Sequence, residues 1–169
     1  MFIESLNMFK QKNPDKLFFV VILGSDQGRK IYKKKIQRLV EQYRLIKDVL
    51  FIENCKNMPL AYKISDIVVN CAIEPEAFGR VAVEAQAMEK IILASNLGGA
   101  KETILDNKTG FLFKANDSND LTNKLSHIFE LDETTLKSMG NEGRKNAINK
   151  FNVEKMCFST YSEYKKLIN

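Results

Sequence analysis

Leu17-Phe18-Phe19-Val20-Val21-Ile22-Leu23 is an unbroken apolar run that stops at Gly24. A strand apolar on both faces must be covered on both faces, as inner strands of parallel sheets are. Similar short runs recur at Val49-Leu50-Phe51-Ile52, Ile67-Val68-Val69, Ile91-Ile92-Leu93-Ala94 and Gly110-Phe111-Leu112-Phe113. Helical patterns separate them: residues 1–12, a basic stretch from Arg29, Met58 to Ile64, Gly79 to Glu89, and a short piece after Gly98-Gly99. From Asp117 onward the pattern is helical only, with breaks expected at Asn141-Glu142-Gly143 and at Asn152. Strand and helix in alternation specify an α/β domain, a Rossmann-like doubly wound parallel sheet with helices on both faces. Residues 1–169 read as one domain, with 150–169 as a trailing helix.

Several chemistries are excluded early. The chain has one histidine, His127, so no multi-His metal site can form, and His127 falls on a late helix as a surface residue. The three cysteines, Cys55, Cys71 and Cys157, are scattered and odd in number, which argues against a disulfide framework or a Cys-based zinc site. No serine sits in a Gly-x-Ser-x-Gly elbow. No apolar run approaches the ~18 residues of a membrane span, and no signal peptide is visible at the start. The expected location is cytoplasmic. Chemistry is left to carboxylates, basic groups and backbone amides.

The net charge of +5 is concentrated early. Arg29, Lys30, Lys33, Lys34, Lys35, Arg38, Arg44 and Lys47 face one acid, Glu41. On a helix, Ile31, Ile36, Leu39, Val40 and Tyr43 would form the apolar stripe and the lysines the opposite face. That face is either simply solvated or attracted to anionic headgroups, as in a protein peripheral to the inner face of a membrane, or to a polyanionic substrate. Nucleic acid fits poorly, because no aromatics interleave with the bases.

In a doubly wound sheet, ligands bind beyond the carboxyl ends of the strands. The loop after the third apolar run is the informative one. Gly79 lies where a helix begins, so the first-turn amides of Gly79, Arg80 and Val81 form an anion site that a phosphate can approach closely. Glu76 projects just before that helix. Glu84 sits one and a half turns in, within an otherwise apolar stretch, where a carboxylate needs donors. Each glutamate also has a plain alternative: a backbone partner for Glu84, solvent for Glu76. A carboxylate near each end of a phosphate-binding helix suits a phosphorylated polyol such as a nucleotide sugar.

Glu76-Ala-Phe-Gly-Arg-Val-Ala-Val-Glu84 resembles the Glu-x7-Glu motif of GT-B retaining glycosyltransferases of the GT4 type. The resemblance extends to Leu23-Gly24-Ser-Asp-Gln-Gly28-Arg29, to Asn57-Met58-Pro59-Leu60-Ala61-Tyr62, to Ser65-Asp66-Ile67-Val68-Val69, to Ile91 through Gly99-Ala-Lys-Glu102, and to Asn107-Lys-Thr109-Gly110-Phe111-Leu112. It implies the C-terminal, donor-binding half of a GT-B fold. Glu76 would hold the donor sugar beside the reacting carbon. Glu84 would bind the ribose, and the Phe78-Gly79-Arg80-Val81 backbone would cradle the diphosphate. The loop of Glu53 and Asn54 would line the nucleobase pocket, and Gly24, on its Gly-rich turn, would belong to the nucleotide-binding residues. Gly98 and Gly99 would be structural, and Glu74 a solvated extra carboxylate.

The family pattern also begins with a strand and a Gly-Arg…Lys-Gly turn, preceded by an acceptor domain. Neither matches here, so the resemblance implies half of a site: a fragment, a split or truncated gene, or one subunit of two. The isolated chain is expected to be inactive, and either to dimerise over an open sheet edge or to place its N-terminal helix over the gap. With no Asp-x-Asp motif, transfer is expected to need no metal and no cofactor, to retain configuration, and to build cell-surface polysaccharide or lipopolysaccharide on a saccharide or lipid acceptor. The alternatives are a non-catalytic nucleotide-sugar-binding fragment or partner subunit, and a receiver-like domain. The last lacks its acidic cluster, since Gly24, Glu53 and Asn70 occupy the strand ends.

Overall fold

A computed structural model describes residues 1–168 of the chain. In order, the elements are α1 (Phe2–Lys12), β1 (Val20–Leu23), α2 (Lys30–Gln42), β2 (Val49–Ile52), α3 (Met58–Ile64), β3 (Ile67–Asn70), α4 (Arg80–Ala87), β4 (Ile91–Ser95), α5 (Ala100–Thr103), β5 (Phe111–Phe113), α6 (Ser118–Glu130), α7 (Glu133–Lys150) and α8 (Val153–Ile168). They fall into two compact units: Met1–Ile64 with Phe113–Leu131, and Ser65–Leu112 with the chain from Asp132 onward. The architecture is α/β with parallel strands and helices on both sides.

In the first unit, β1 and β2 run parallel, pairing Val20 with Val49 through to Leu23 with Ile52. The core lies between α1 and α6. Ile3, Leu6 and Phe9 of α1 and Leu121, Leu125 and Ile128 of α6 are all buried. Each such side chain contributes about 1.5–3 kcal/mol of burial. The Phe9 ring meets those of Phe18 and Phe129, centroids 5.6 and 4.8 Å away. Small residues let the two helices approach: Ser5 Oγ donates to Ser118 O (3.1 Å) and Thr122 Oγ1 to Ser5 O (3.2 Å).

Two expectations fail in this unit. The apolar run from Leu17 is a strand only from Val20, and Leu17 and Phe19 are exposed. The parallel register puts Val21 beside Leu50 and Leu23 beside Ile52 on one face, and Val21, Leu50 and Ile52 are exposed there. That face is uncovered among the described residues, so β1 is buried less than an inner strand would be. The second failure is Ile31. It was expected in the apolar stripe of α2 but is 88% exposed, because helical spacing places it over Lys34, Lys35 and Arg38, opposite buried Val40.

In the second unit, the sheet order is β3-β4-β5, with β3 and β4 parallel from Ile67 opposite Ile91 to Asn70 opposite Ala94. Central β4 is buried throughout, as the apolar run Ile91–Ala94 requires, and the burial extends to Ser95. Helix α4 packs on β3, β4 and α7 through Ala82 and Ala85, both fully buried. The expected break at Asn141-Glu142-Gly143 does not occur; α7 runs through it. Its glycines serve contact instead. A Cβ on Gly140 would lie 2.4 Å from Glu89 O, and one on Gly143 would lie 3.3 Å from Gln86 Cγ. The real boundary is at Asp132, whose carboxylate accepts from Thr135 N (2.8 Å) and caps α7. The break at Asn152 does occur, and no residue of α8 is buried. No helix of the described residues is long and apolar enough to cross a membrane.

Candidate functional site

The second unit holds the Glu76–Glu84 segment. Beyond β3 the chain loops over to α4, and Gly79 is the N-cap of that helix with left-handed φ of 77°. A residue with a Cβ is strained in that conformation, which accounts for glycine here. Among the described residues no side chain caps α4. Its first-turn amides therefore meet no side-chain acceptor and present the positive end of the helix dipole.

The loop is held close to the turn that follows β4. Gly99 N donates to Glu76 O (2.8 Å). A Cβ on Gly98 would lie 2.5 Å from Glu76 O, and one on Gly99 would lie 2.4 Å from Phe78 O. Both glycines are structural, as the sequence suggests. The Glu76 carboxylate is exposed, accepts from Asn70 Nδ2 (3.2 Å), and has its Oε2 3.7 Å from the Cβ position of Gly79. It thus stands beside the N-terminus of α4. Glu74 is exposed on the same loop.

Glu84 is half-buried rather than enclosed, and it carries an ion pair: Arg80 Nη2 and Nε lie 2.8 and 3.2 Å from its Oε1. The expectation of a buried carboxylate awaiting ligand donors is therefore too strong. Its neighbour one turn back supplies a charge at the surface. Val81 is half-buried, and the exposed Phe78 ring stacks edge-on against Phe151, 5.6 Å between centroids.

Gly24, Glu53 and Asn54 belong to the first unit. Gly24 N donates to Ile52 O (2.9 Å), so the loops after β1 and β2 start side by side. The Glu53 carboxylate is taken by Lys33, a pairing that raises the Lys33 pKa chiefly through the hydrogen bond. Asn54 is exposed, and Asn57 Oδ1 accepts from Leu60 N (3.1 Å) at the start of α3. His127 is on the surface of α6.

Three side chains around the site have no part in the sequence reading. Gln86 and Asn146 are buried and bonded to each other and to Thr103 O. The signal for Gln86 is an uncharged polar residue inside the same otherwise apolar stretch as Glu84. Asn146 gives no local signal. Ser95, at the carboxyl end of β4, has a buried hydroxyl without a partner among the described residues. Cys71 follows β3 directly. Burial pushes its thiol up to about 12, so it is no thiolate nucleophile at neutral pH.

The sequence matches the profile described as Glycosyl transferases group 1 over residues 1–146. The chain belongs to that family. Among curated relatives, the capsular polysaccharide biosynthesis glycosyltransferase CapM of Staphylococcus aureus is 32% identical over 112 residues, covering 62% of this chain and 29% of CapM. The crystal structure of a glycosyltransferase from Rickettsia africae ESF-5 superposes with a TM-score of 0.91 at 30% identity, over 99% of this chain and 43% of that one. Anabaena HepE, solved in complex with UDP-glucose, shares the fold with a TM-score of 0.86 at 23% identity, over 98% of this chain and 45% of that one. The group 1 chain described here thus spans less than half the length of these relatives. Its fold is that of a GT-B Rossmann-like half.

Proposed function

We propose that this chain is the donor-binding half of a GT4-type glycosyltransferase that takes a nucleoside diphosphate sugar and transfers its sugar with retention, without a metal or cofactor. The observation that carries this reading is the bare N-terminus of α4, with a left-handed glycine at its cap and the Glu76 carboxylate alongside. Glycosyl transfer builds positive charge at the anomeric carbon and negative charge on the departing diphosphate. The amides of Gly79, Arg80 and Val81 suit the diphosphate, with Phe78 at their edge, and Arg80 adds a cation at the same helix end. Glu76 suits the sugar hydroxyls, which keeps it off the anomeric carbon and favours a front-face route assisted by the leaving phosphate. Glu84 suits the ribose. Glu53 and Asn54 are assigned to the nucleobase, and Gly24 to nucleotide binding, on the family resemblance alone.

The acceptor is a saccharide or lipid bound by a part of the enzyme beyond this chain, in polysaccharide or lipopolysaccharide synthesis in the cytoplasm. The 169-residue chain alone transfers sugar no faster than background, and it pairs with a second copy of itself. Peripheral contact with an anionic membrane belongs to the same reading. It is supported by Ile31 and Tyr32, 88% and 63% exposed, amid Arg29, Lys30, Lys34, Lys35 and Arg38. A non-catalytic nucleotide-sugar-binding subunit is the alternative, and it predicts no transfer even when an acceptor domain is supplied.

The test separates the glutamates, with UDP and UDP-glucose as probes in ligand-observed NMR. Glu84→Gln is expected to weaken UDP binding by about 1.5–3 kcal/mol, or ten- to a hundredfold. Glu76→Gln is expected to leave UDP binding nearly unchanged and to remove only the gain from glucose. Equal effects on UDP would defeat the division of roles.

A further inference from the structure

Helix α5 is a single turn, and an isolated turn of helix does not persist in water. Its last carbonyl would ordinarily be an orphan. Here Thr103 O accepts two side-chain amides, Gln86 Nε2 at 2.9 Å and Asn146 Nδ2 at 3.0 Å. Asn146 Nδ2 also donates to Gln86 Oε1 (2.9 Å), and Gln86 Nε2 to Ala82 O (3.2 Å). Gln86 is 0% exposed and Asn146 8%. From the other end of the turn, Thr103 Oγ1 donates to Gly99 O (2.9 Å), and Gly99 N donates to Glu76 O (2.8 Å). A continuous chain of hydrogen bonds therefore runs from α7 through α4 and α5 to the backbone of the Glu76 loop.

We propose that Gln86 and Asn146 are positioning residues, which hold α5 at its C-terminal carbonyl and so fix the Gly98-Gly99 turn against the backbone that carries Glu76. The geometry favours this over a purely space-filling role. Apolar side chains of similar volume would fill the same core, yet they would leave both lone pairs of the Thr103 carbonyl without a donor. Gln86 also lies on the helix that carries Glu84, so one side chain ties the two glutamate-bearing segments to a common point. The inference rests on the donor-binding reading only for what the glutamates bind; the clamp itself is a claim about the fold.

The experiment is amide hydrogen exchange by NMR on the 169-residue chain and its Asn146→Leu variant. Loss of the clamp is expected to lower protection at Gly99 and Thr103 by about tenfold or more beyond any loss at Leu93 in β4. A merely stabilising role would lower all three alike, and that result would overturn the proposal. Should Asn146→Leu fail to fold, Thr103→Val cuts the chain at its last side-chain link with little change of shape and is read in the same way, with loss expected at Gly99 alone. Titration with UDP and UDP-glucose supplies the second readout: the gain in affinity from glucose shrinks while UDP affinity holds. If neither probe binds the unaltered chain, the donor-binding reading fails, and the exchange result still decides the clamp.

Discussion

Arg80 and Glu84 face each other one turn apart on α4, with both Nη2 and Nε of the guanidinium on a single carboxylate oxygen, at 2.8 and 3.2 Å. An exposed pair of this kind is worth at most about 1 kcal/mol, so the guanidinium can turn to a phosphate at little cost. Arg80→Ala is expected to weaken UDP binding about three- to tenfold and to leave uridine binding unchanged. Equal losses for UDP and uridine would show that Arg80 acts by orienting Glu84 at the ribose instead.

The glycines of the site separate crowding from backbone strain. Gly99 has ordinary helical φ and ψ, but an added Cβ meets Phe78 O at 2.4 Å. Gly99→Ala is therefore an overpacking substitution, expected to cost about 1–3 kcal/mol in urea denaturation. Gly79→Ala meets nothing nearer than 3.7 Å, so its cost is the left-handed backbone alone, roughly 1–2 kcal/mol. Replacement by Asn, which tolerates that conformation, is expected to recover part of the loss at position 79 and none at position 99.

Cys71 gives a pH dependence with a definite sign. Its thiol is raised from 9.0 to about 12 by burial. Between those values the unfolded chain releases the proton and the native chain keeps it, so stability falls as pH rises. The contribution is whole below pH 9.0 and is lost progressively towards pH 12. Cys71→Ala is expected to flatten that alkaline limb in thermal melts. At pH 8, iodoacetamide should alkylate exposed Cys157 well before Cys71, and mass spectrometry of the digest checks the order.

Ser95 carries a buried hydroxyl with no partner among the described residues. Ser95→Ala is expected to raise stability by about 1 kcal/mol, since it removes a desolvated polar atom with little change in volume. A loss of stability would place a tightly held water on the hydroxyl.

The basic face of α2 is tested by flotation with vesicles. Binding is expected to vesicles rich in phosphatidylglycerol and to fall away in neutral phosphatidylcholine or at high salt. Ile31→Asp should abolish most of it while the melting temperature holds, because Ile31 is already 88% exposed. Undiminished binding by that variant would place the contact elsewhere.

Strand positions were legible because β4 and β2 are apolar at nearly every residue, and periodicity reads such runs directly. The start of α4 was legible from Gly79, because a helix start that favours glycine is a local matter. A partner that lies far along the chain leaves no local pattern to read. Asn141-Glu142-Gly143 has the composition of a break, yet Gly140 and Gly143 are where Glu89 and Gln86 press on α7. Asn146 gives no local signal, yet it bonds Thr103, 43 positions away. Glu84 is a different case: its small apolar neighbours suggest burial, although Arg80, one turn away, shares its edge of the helix.

The two glycines inside α7 also say something about order of formation. Each costs a helix about 1 kcal/mol relative to alanine, and their only return is proximity to another segment. A peptide covering Glu133–Lys150 on its own is thus expected to be mostly random coil by circular dichroism. The helix exists as a guest of the surface it packs on, so during folding it can be consolidated only after α4 and β4 have come together to receive it.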